Sequence, residues 1–188
     1  MKKIILKFTA VVALISVTCF SCTKEVDFKQ ADNLVLEPVA ALDLIFFDAP
    51  SSSFFVGGTE LTTVRDSVII DLFGRNFVVD NLVKAEFIFQ TTNSINRAFN
   101  VQVDFFDSDD RLQHAFAVIA PASPTNTDLV NTHTEVFETN ILDALKASNK
   151  IELTITALPG GSPLNDDTPG SIQLKSKGFF YFNIESAE

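Results

Sequence analysis

The chain has 188 residues, of which 46% are hydrophobic and 20% are charged, and its formal net charge is −10. This apolar content is enough for a packed core, so intrinsic disorder is excluded and one domain, or at most two small ones, is expected. The acidity excludes nucleic acid as a partner, because proteins that bind it neutralise phosphates with a surplus of Lys and Arg.

Residues 1–21 are expected to be a secretory signal peptide. Three lysines precede an apolar run over residues 8–17, which is shorter than the ~20 residues that a membrane-spanning helix requires. The run gives way to Ser21-Cys22, and a polar stretch follows directly. This junction resembles the lipobox of bacterial lipoproteins, in which a small residue precedes a cysteine.

The resemblance implies that the Cys22 thiol is acylated and that cleavage makes Cys22 the new N-terminus, anchored stably by its acyl chains. Cleavage would remove three lysines and no acid and would leave a charge of −13. Thr23, in place of the Asp that retains such proteins in the inner membrane, implies the outer membrane. Lys24-Glu25 faintly resembles a signal for export to the cell surface, so the side of the membrane stays open. The alternative is an ordinary cleaved signal that leaves Cys22 as a free thiol.

Residues 22–33 are polar and are expected to be a tether, and residues 34–188 are expected to form the folded domain. From Leu34 onward, hydrophobic and polar residues alternate, which is typical of strands with one buried face. Seven to nine strands are predicted, and they cover residues 34–37, 41–48, 67–73, 83–90, 100–105, 111–119, 134–138, 150–157 and 172–184.

Turn residues rich in Gly, Pro, Asn and Asp separate these strands, and the strands near 98–107 and 111–119 are close enough to form a hairpin. One short helix is expected, with Thr139-Asn140 as its cap and Asn149 at its end. Its apolar face would consist of Ile141, Leu142 and Leu145. Many short strands with one short crossover helix predict an all-β fold, an antiparallel β-sandwich that is immunoglobulin-like in outline. An up-and-down barrel is the alternative.

Histidine is scarce, with only His114 and His133 in the whole chain. His114 falls on an apolar strand face, where a core or edge residue is favoured over a ligand, and His133 lies in a polar run and is expected to be exposed. A zinc site would need further nitrogen or sulfur ligands at short spacing. The sequence also has no Gly-x-Ser-x-Gly, P-loop or HExxH motif. We therefore expect no enzyme activity and no cofactor.

Carboxylates cluster at the predicted hairpin. The cluster consists of Asp104, Asp107, Asp109 and Asp110 and is expected to be a solvated acidic turn. Calcium binding is the alternative for this loop, because hard cations prefer oxygen ligands, although the spacing lacks the glycine and distal Glu of an EF-hand. A small hydrolase that uses paired carboxylates is a third hypothesis.

The aromatic content is one-sided, with 19 Phe, one Tyr and no Trp. Phe105-Phe106 and Phe179-Phe180 are adjacent pairs, and neighbours in a strand point to opposite faces. If Phe105 and Phe180 belong to the core, an outward row follows that consists of Ile88, Phe106, Phe179 and Tyr181. Either a loop or edge strand covers this row, or the row is an exposed contact surface.

Together these features predict a lipid-anchored outer-membrane lipoprotein that acts as a non-catalytic binding or accessory subunit of an outer-membrane protein assembly. Its expected partners are the membrane, through the lipid on Cys22, and another outer-membrane protein. The alternative is a free-standing surface lipoprotein that binds a ligand or a glycan through loops at one end of the sandwich.

Overall fold

The alternating pattern folds into strands throughout the computed structural model of the chain, which describes residues 35–70, 73–161 and 163–185. The signal peptide, Cys22 and the tether lie outside the described residues, so what the sequence indicates for them stays a prediction. In chain order the strands are β1 (Val35–Leu36), β2 (Val39–Pro50), β3 (Phe55–Val56), β4 (Thr59–Glu60), β5 (Thr63–Ile69), β6 (Leu82–Asn93), β7 (Phe99–Phe106), β8 (Leu112–Ala120), β9 (Leu129–Phe137), β10 (Lys150–Ala157), β11 (Ser171–Phe182) and β12 (Ile184–Glu185).

The eight longer strands form two antiparallel sheets of four strands each. The first sheet has the order β2-β11-β6-β9, and the second sheet has the order β5-β10-β7-β8. Their inner faces enclose the hydrophobic core, so the predicted all-β antiparallel sandwich is confirmed.

The strand order is that of a jelly roll. Among the longer strands, only β7 and β8 are both neighbours in a sheet and consecutive in the chain. All other pairs join distant segments, as in the double Greek key of a jelly roll, and this order differs from that of an immunoglobulin domain. Alternation shows which side chains of a strand are buried, but it carries no information about which strand lies beside it.

The core is built largely from phenylalanine. Phe87 on β6 is fully buried, and its ring packs against those of Phe89, Phe105, Phe137 and Phe180 at centroid distances of 4.9 to 6.4 Å. Residues of β10 and β7 that were predicted to point inward are buried as expected.

Val83 is an exception to the predicted inward set. It is 51% exposed, whereas its neighbour Leu82 is buried. The pairing of β6 with β11 shifts register at this point, because Tyr181 lies opposite Lys84 but Phe182 lies opposite Leu82. Val83 is the extra residue of this irregularity, and a bulged residue loses the regular inward position.

Two short α-helices are present among the described residues, where the sequence predicted one. They are α1 (Asn76–Asn81) and α2 (Thr139–Ala147), and each connects a strand of one sheet to a strand of the other. Helix α2 is the predicted crossover helix, with Leu142 and Leu145 buried. The predicted cap is wrong, because α2 begins at Thr139 itself and no side chain caps it. Helix α1 was missed because its six residues give less than two turns of helical pattern.

Candidate binding site

The outer face of the first sheet carries the exposed aromatic residues. Phe179 and Tyr181 lie on β11, opposite Glu86 and Lys84 of β6, while Ile88 lies opposite Lys177. All three predicted residues on this sheet are half-buried on its outer side. Phe46 on β2 joins them and is 63% exposed. We call these four residues, Phe46, Ile88, Phe179 and Tyr181, the aromatic face.

Lysines lie over the aromatic rings of this face. The Lys84 Nζ is 5.5 Å from the centroid of Tyr181, and those of Lys175 and Lys177 are 5.9 and 6.0 Å from the centroids of Phe46 and Phe179. Such cation–π pairs keep the aromatic rings and the ammonium groups together at the surface. The face therefore combines apolar rings with positive charge, on a chain whose net charge is −10.

A polar network fixes one end of the aromatic face. The Lys84 Nζ contacts carboxylate oxygens of Glu86 at 2.9 Å and Glu138 at 3.0 Å, and the Tyr181 hydroxyl donates to Glu86 Oε2 at 3.1 Å. Hydrogen bonds from Lys84 and Tyr181 lower the pKa of Glu86. The bond to Glu86, together with partial burial, raises the pKa of Tyr181. The bonds to Glu86 and Glu138 likewise raise the pKa of Lys84.

A cavity of about 550 Å³ borders this end of the aromatic face, and Lys84 and Tyr181 belong to its lining. The remaining lining residues are Glu37, Val39, Val83, Phe182 and Asn183. Its volume falls in the range of about 300–1,000 Å³ that is usual for small-molecule sites.

Phe106 does not belong to the aromatic face, which corrects the predicted row of four. It lies on β7 in the second sheet, so the whole thickness of the sandwich separates it from Phe179 and Tyr181. Its ring is covered by Lys150, whose Nζ is 4.8 Å from the ring centroid. The outward direction was predicted correctly, but the side of the molecule depends on strand order, which alternation does not reveal.

The carboxylates of the acidic hairpin loop are bonded to groups of the loop itself and of the neighbouring strand β10. Asp107 Oδ1 accepts hydrogen bonds from the backbone N–H groups of Asp109 at 2.8 Å and Arg111 at 2.9 Å, and these bonds help to lower the pKa of Asp107. Asp109 pairs with Arg111, and Asp110 pairs with Lys150. Within the described ranges, no three His, Cys, Asp or Glu side chains are arranged to hold a metal ion.

Both histidines of the chain converge on one carboxylate, which the sequence analysis missed. His114 Nε2 of β8 lies 2.7 Å from Glu135 Oε1, and His133 Nε2 of β9 lies 2.8 Å from Glu135 Oε2. The contact between His114 and Glu135 joins the edge strand of one sheet to that of the other, whereas His133 and Glu135 both lie on β9. His133 was expected to be exposed but is half-buried and stacks on Phe116, with centroids 5.1 Å apart. We call this edge of the sandwich the closed seam.

The opposite edge, between β2 and β5, is a groove lined by aliphatic side chains together with charged and polar ones. Two adjoining cavities of about 370 and 200 Å³ lie along it and share Leu44 and Val68 in their linings. Leu42, at one end, is 44% exposed although it lies on the inner face of its sheet. We call this edge the open seam.

Comparisons with known proteins do not assign a family. No family model and no curated protein matches the chain. Among solved structures, the subviral particle of infectious bursal disease virus VP2 shares 14% identity at a TM-score of 0.41, covering 80% of this chain and 38% of that one. The structure titled PfGH50B shares 11% identity at a TM-score of 0.43 and covers 82% of this chain and 23% of that one. A CBM4 structure shares 12% identity at a TM-score of 0.30 and covers 60% and 56% of the two chains.

No helix among residues 35–70, 73–161 and 163–185 is long and apolar enough to span a membrane.

Proposed function

We propose that this chain is a lipid-anchored outer-membrane lipoprotein whose sandwich binds another outer-membrane protein as a non-catalytic accessory subunit. The observation that supports binding most directly is the aromatic face. Ile88, Phe179 and Tyr181 occupy neighbouring positions of β6 and β11 on the solvent side of one sheet. Phe46 lies on the same side on β2, and lysines lie over the aromatic rings.

Large apolar side chains on a surface are tolerated singly, but a contiguous patch is typical of a contact surface. Aromatic residues dominate the energetics of such contacts, because they bury a large area with few rotatable bonds. The membrane attachment is supported by the lipobox-like junction at Ser21-Cys22, and the polar tether that follows would hold the sandwich away from the lipid.

A pull-down of the full-length lipoprotein, solubilised from its native membranes in mild detergent, tests the proposal when the recovered proteins are identified by mass spectrometry. Phe179→Ser should weaken recovery of the partner, because it removes apolar contact area from the aromatic face alone. Phe106→Ser is the matched control, since it changes the same residue type on the opposite side of the sandwich. Equal recovery with all variants, at unchanged melting temperature, would refute a role of the aromatic face.

The cavity beside Lys84 and Tyr181 supports a second candidate function, a free-standing lipoprotein that binds a small ligand or a glycan. It combines apolar walls with carboxylate, ammonium and phenol groups, a mixture that suits a hydroxylated ring. A glycan array probed with the full-length protein would favour this function if binding is abolished by Tyr181→Ala and no protein co-purifies.

A further inference from the structure

The two edges of the sandwich, the closed seam and the open seam, are built in opposite ways. At the closed seam, Glu135 contacts His114 at 2.7 Å, and the Asn131 side chain donates to the Ile119 carbonyl oxygen at 2.7 Å. Both contacts run from β9 to β8 and join the two sheets. At the open seam, within the described ranges, no side chain of β2 bonds to β5, and Leu44 and Val68 from the two strands line the gap.

The open seam also presents an unpaired strand. Strand β2 is the end strand of the first sheet and pairs only with β11 among the described residues, so no described strand pairs with its other edge. Unpaired strand edges are templates for the addition of another strand. Natural sheets suppress this with inward-pointing charges, among other devices. Strand β5 carries Asp66 opposite the buried Leu153, whereas the acids of β2, Asp43 and Asp48, lie opposite Lys177 and Gln173 on the outer face. Of the two end strands at this seam, β2 is therefore the one whose described inner face holds no charge that would oppose pairing.

A bulge on β2 enlarges the apolar surface there. Leu44 and Ile45 fall at the register shift opposite Ser176, whose hydroxyl accepts the Ile45 amide at 3.0 Å. Two successive apolar residues thus lie beside the groove, where a regular strand would supply one. Leu, Ile and Val side chains supply most of the lining of the groove, and Asp43, Asp66 and Arg75 lie among its other lining residues.

We propose that the open seam is a docking site for an extended segment of a partner protein, which pairs with the free edge of β2 and places alternate apolar side chains into the groove. Main-chain groups complement the strand edge, and apolar side chains at every second position complement the cavities, which is the general mode of strand addition. The two acidic lining residues, Asp43 and Asp66, favour a segment flanked by Lys or Arg.

A partner polypeptide explains more of the site than its rivals do. A lipid or detergent chain would fill the apolar groove but would leave the strand edge unpaired. A second copy of this acidic chain would bring its own acidic rim residues close to those of the first, with unfavourable repulsion. The inference rests on the proposed function, because it names how the partner attaches. Phe46 lies on β2 and lines the groove as well as the aromatic face, so an added strand would extend the same sheet.

The experiment measures binding of a labelled synthetic peptide to the full-length protein in detergent. The probe is a nine-residue peptide of alternating Val and Thr with Lys at both ends, and its control has the same composition with all Val residues contiguous. Fluorescence anisotropy gives the affinity, and hydrogen exchange followed by mass spectrometry locates the protected amides. We expect binding of the alternating peptide only, with a dissociation constant below about 100 μM and protection within residues 39–50.

Leu42→Lys should weaken this binding by about tenfold or more, because it places a charge in the groove. Val130→Lys is the matched control, since Val130 is a 58% exposed valine on the outer face of β9. Equal binding of both peptides without amide protection would show that the groove binds apolar side chains without strand pairing, and it would overturn the inference. Protection of residues 39–50 without peptide, together with concentration-dependent dimers, would assign the seam to a second copy and would also overturn it.

The two proposals fail separately. Phe179→Ser should leave peptide binding unchanged, because Phe179 does not line the groove. If the peptide binds as expected but Phe179→Ser leaves recovery of the partner unchanged, the aromatic face is not the contact surface, while the docking site at the open seam stands. Absence of peptide binding, with partner recovery still sensitive to Phe179→Ser, overturns the docking site alone.

Discussion

Truncating Phe87 to alanine should be among the most damaging substitutions in this sandwich. Its side chain is fully buried and packs against four other phenylalanine rings, the nearest of which is Phe137 at 4.9 Å. Loss of the ring removes its transfer free energy and leaves a cavity, and Phe→Ala changes of this kind cost about 3–5 kcal/mol. Because the four neighbouring rings come from both sheets and are themselves buried, the cavity should collapse poorly, and the cost should fall in the upper part of that range.

A loss of this size is a large fraction of the roughly 5–15 kcal/mol by which domains are stable. For a domain of about this length, each kcal/mol shifts the melting temperature by ~2–4 °C, so Phe87→Ala should lower it by roughly 6–20 °C. The assay is thermal unfolding of the detergent-solubilised full-length protein, followed by circular dichroism. Phe46→Ala is the matched control, because the same atoms are removed from a side chain that is 63% exposed. The assay resolves differences of about two degrees. If the melting temperatures of Phe87→Ala and Phe46→Ala agree within that margin, the inward direction of Phe87 and the strand register that depends on it are refuted.

Three further predictions concern the closed seam, the hairpin loop and the anchor. Glu135→Ala should lower the free energy of unfolding by about 1–3 kcal/mol, because it leaves two part-buried imidazoles without their acceptor; a double-mutant cycle in urea with His114→Ala should give a clear coupling energy. Asp107→Asn should reduce the loss of stability on acidification. Because the pKa of Asp107 is lowered in the folded protein, its contribution to the free energy of unfolding is present above the unfolded-state pKa and is lost as the pH falls through the folded-state pKa. The urea denaturation curve of the variant should therefore change less between neutral and acid pH than that of the parent protein. Cys22→Ala should abolish incorporation of labelled palmitate and release the protein from the membrane fraction, while Cys19→Ala should leave both unchanged.

The sequence predicts local features of this fold well, because alternation is a property of each strand by itself. Val101, Val103 and Phe105 were predicted to point inward and are fully buried. The outward direction of Phe106 was predicted correctly by the same argument. Its assignment to one surface with Phe179 was wrong, since that depends on pairing between segments far apart in the chain, and a jelly roll brings together strands that are not consecutive.

The closed seam was missed for a related reason. On β9 the polar residues Asn131, His133 and Glu135 turn towards the other sheet, while Val130 and Val136 point outward. Strand patterns are normally interpreted with the apolar residues pointing inward. On β9 the polar residues point inward and the valines point outward. An edge strand permits the inversion, because its inner face borders solvent and the facing edge of β8 supplies a partner for Glu135. The separation of 21 residues between His114 and Glu135 leaves no local signal that could have paired them.

The polar end of the aromatic face can be tested with a probe that the sequence itself provides. Tyr181 is the only tyrosine of the chain, so the near-ultraviolet absorbance of phenolate reports this one side chain. Its hydroxyl donates to Glu86 and its pKa is raised above the ordinary value of 10.0, because ionisation would break the hydrogen bond and place two negative charges together. A spectrophotometric titration should therefore have its midpoint above that of free tyrosine, and Glu86→Gln should move the midpoint back down. Since Lys84 opposes the shift of Tyr181, Lys84→Met should move the midpoint further up. Identical midpoints in the parent protein and in Glu86→Gln would show that Tyr181 and Glu86 are not bonded in solution. The Tyr181 side chain would then not be held in place by Glu86 at this end of the aromatic face.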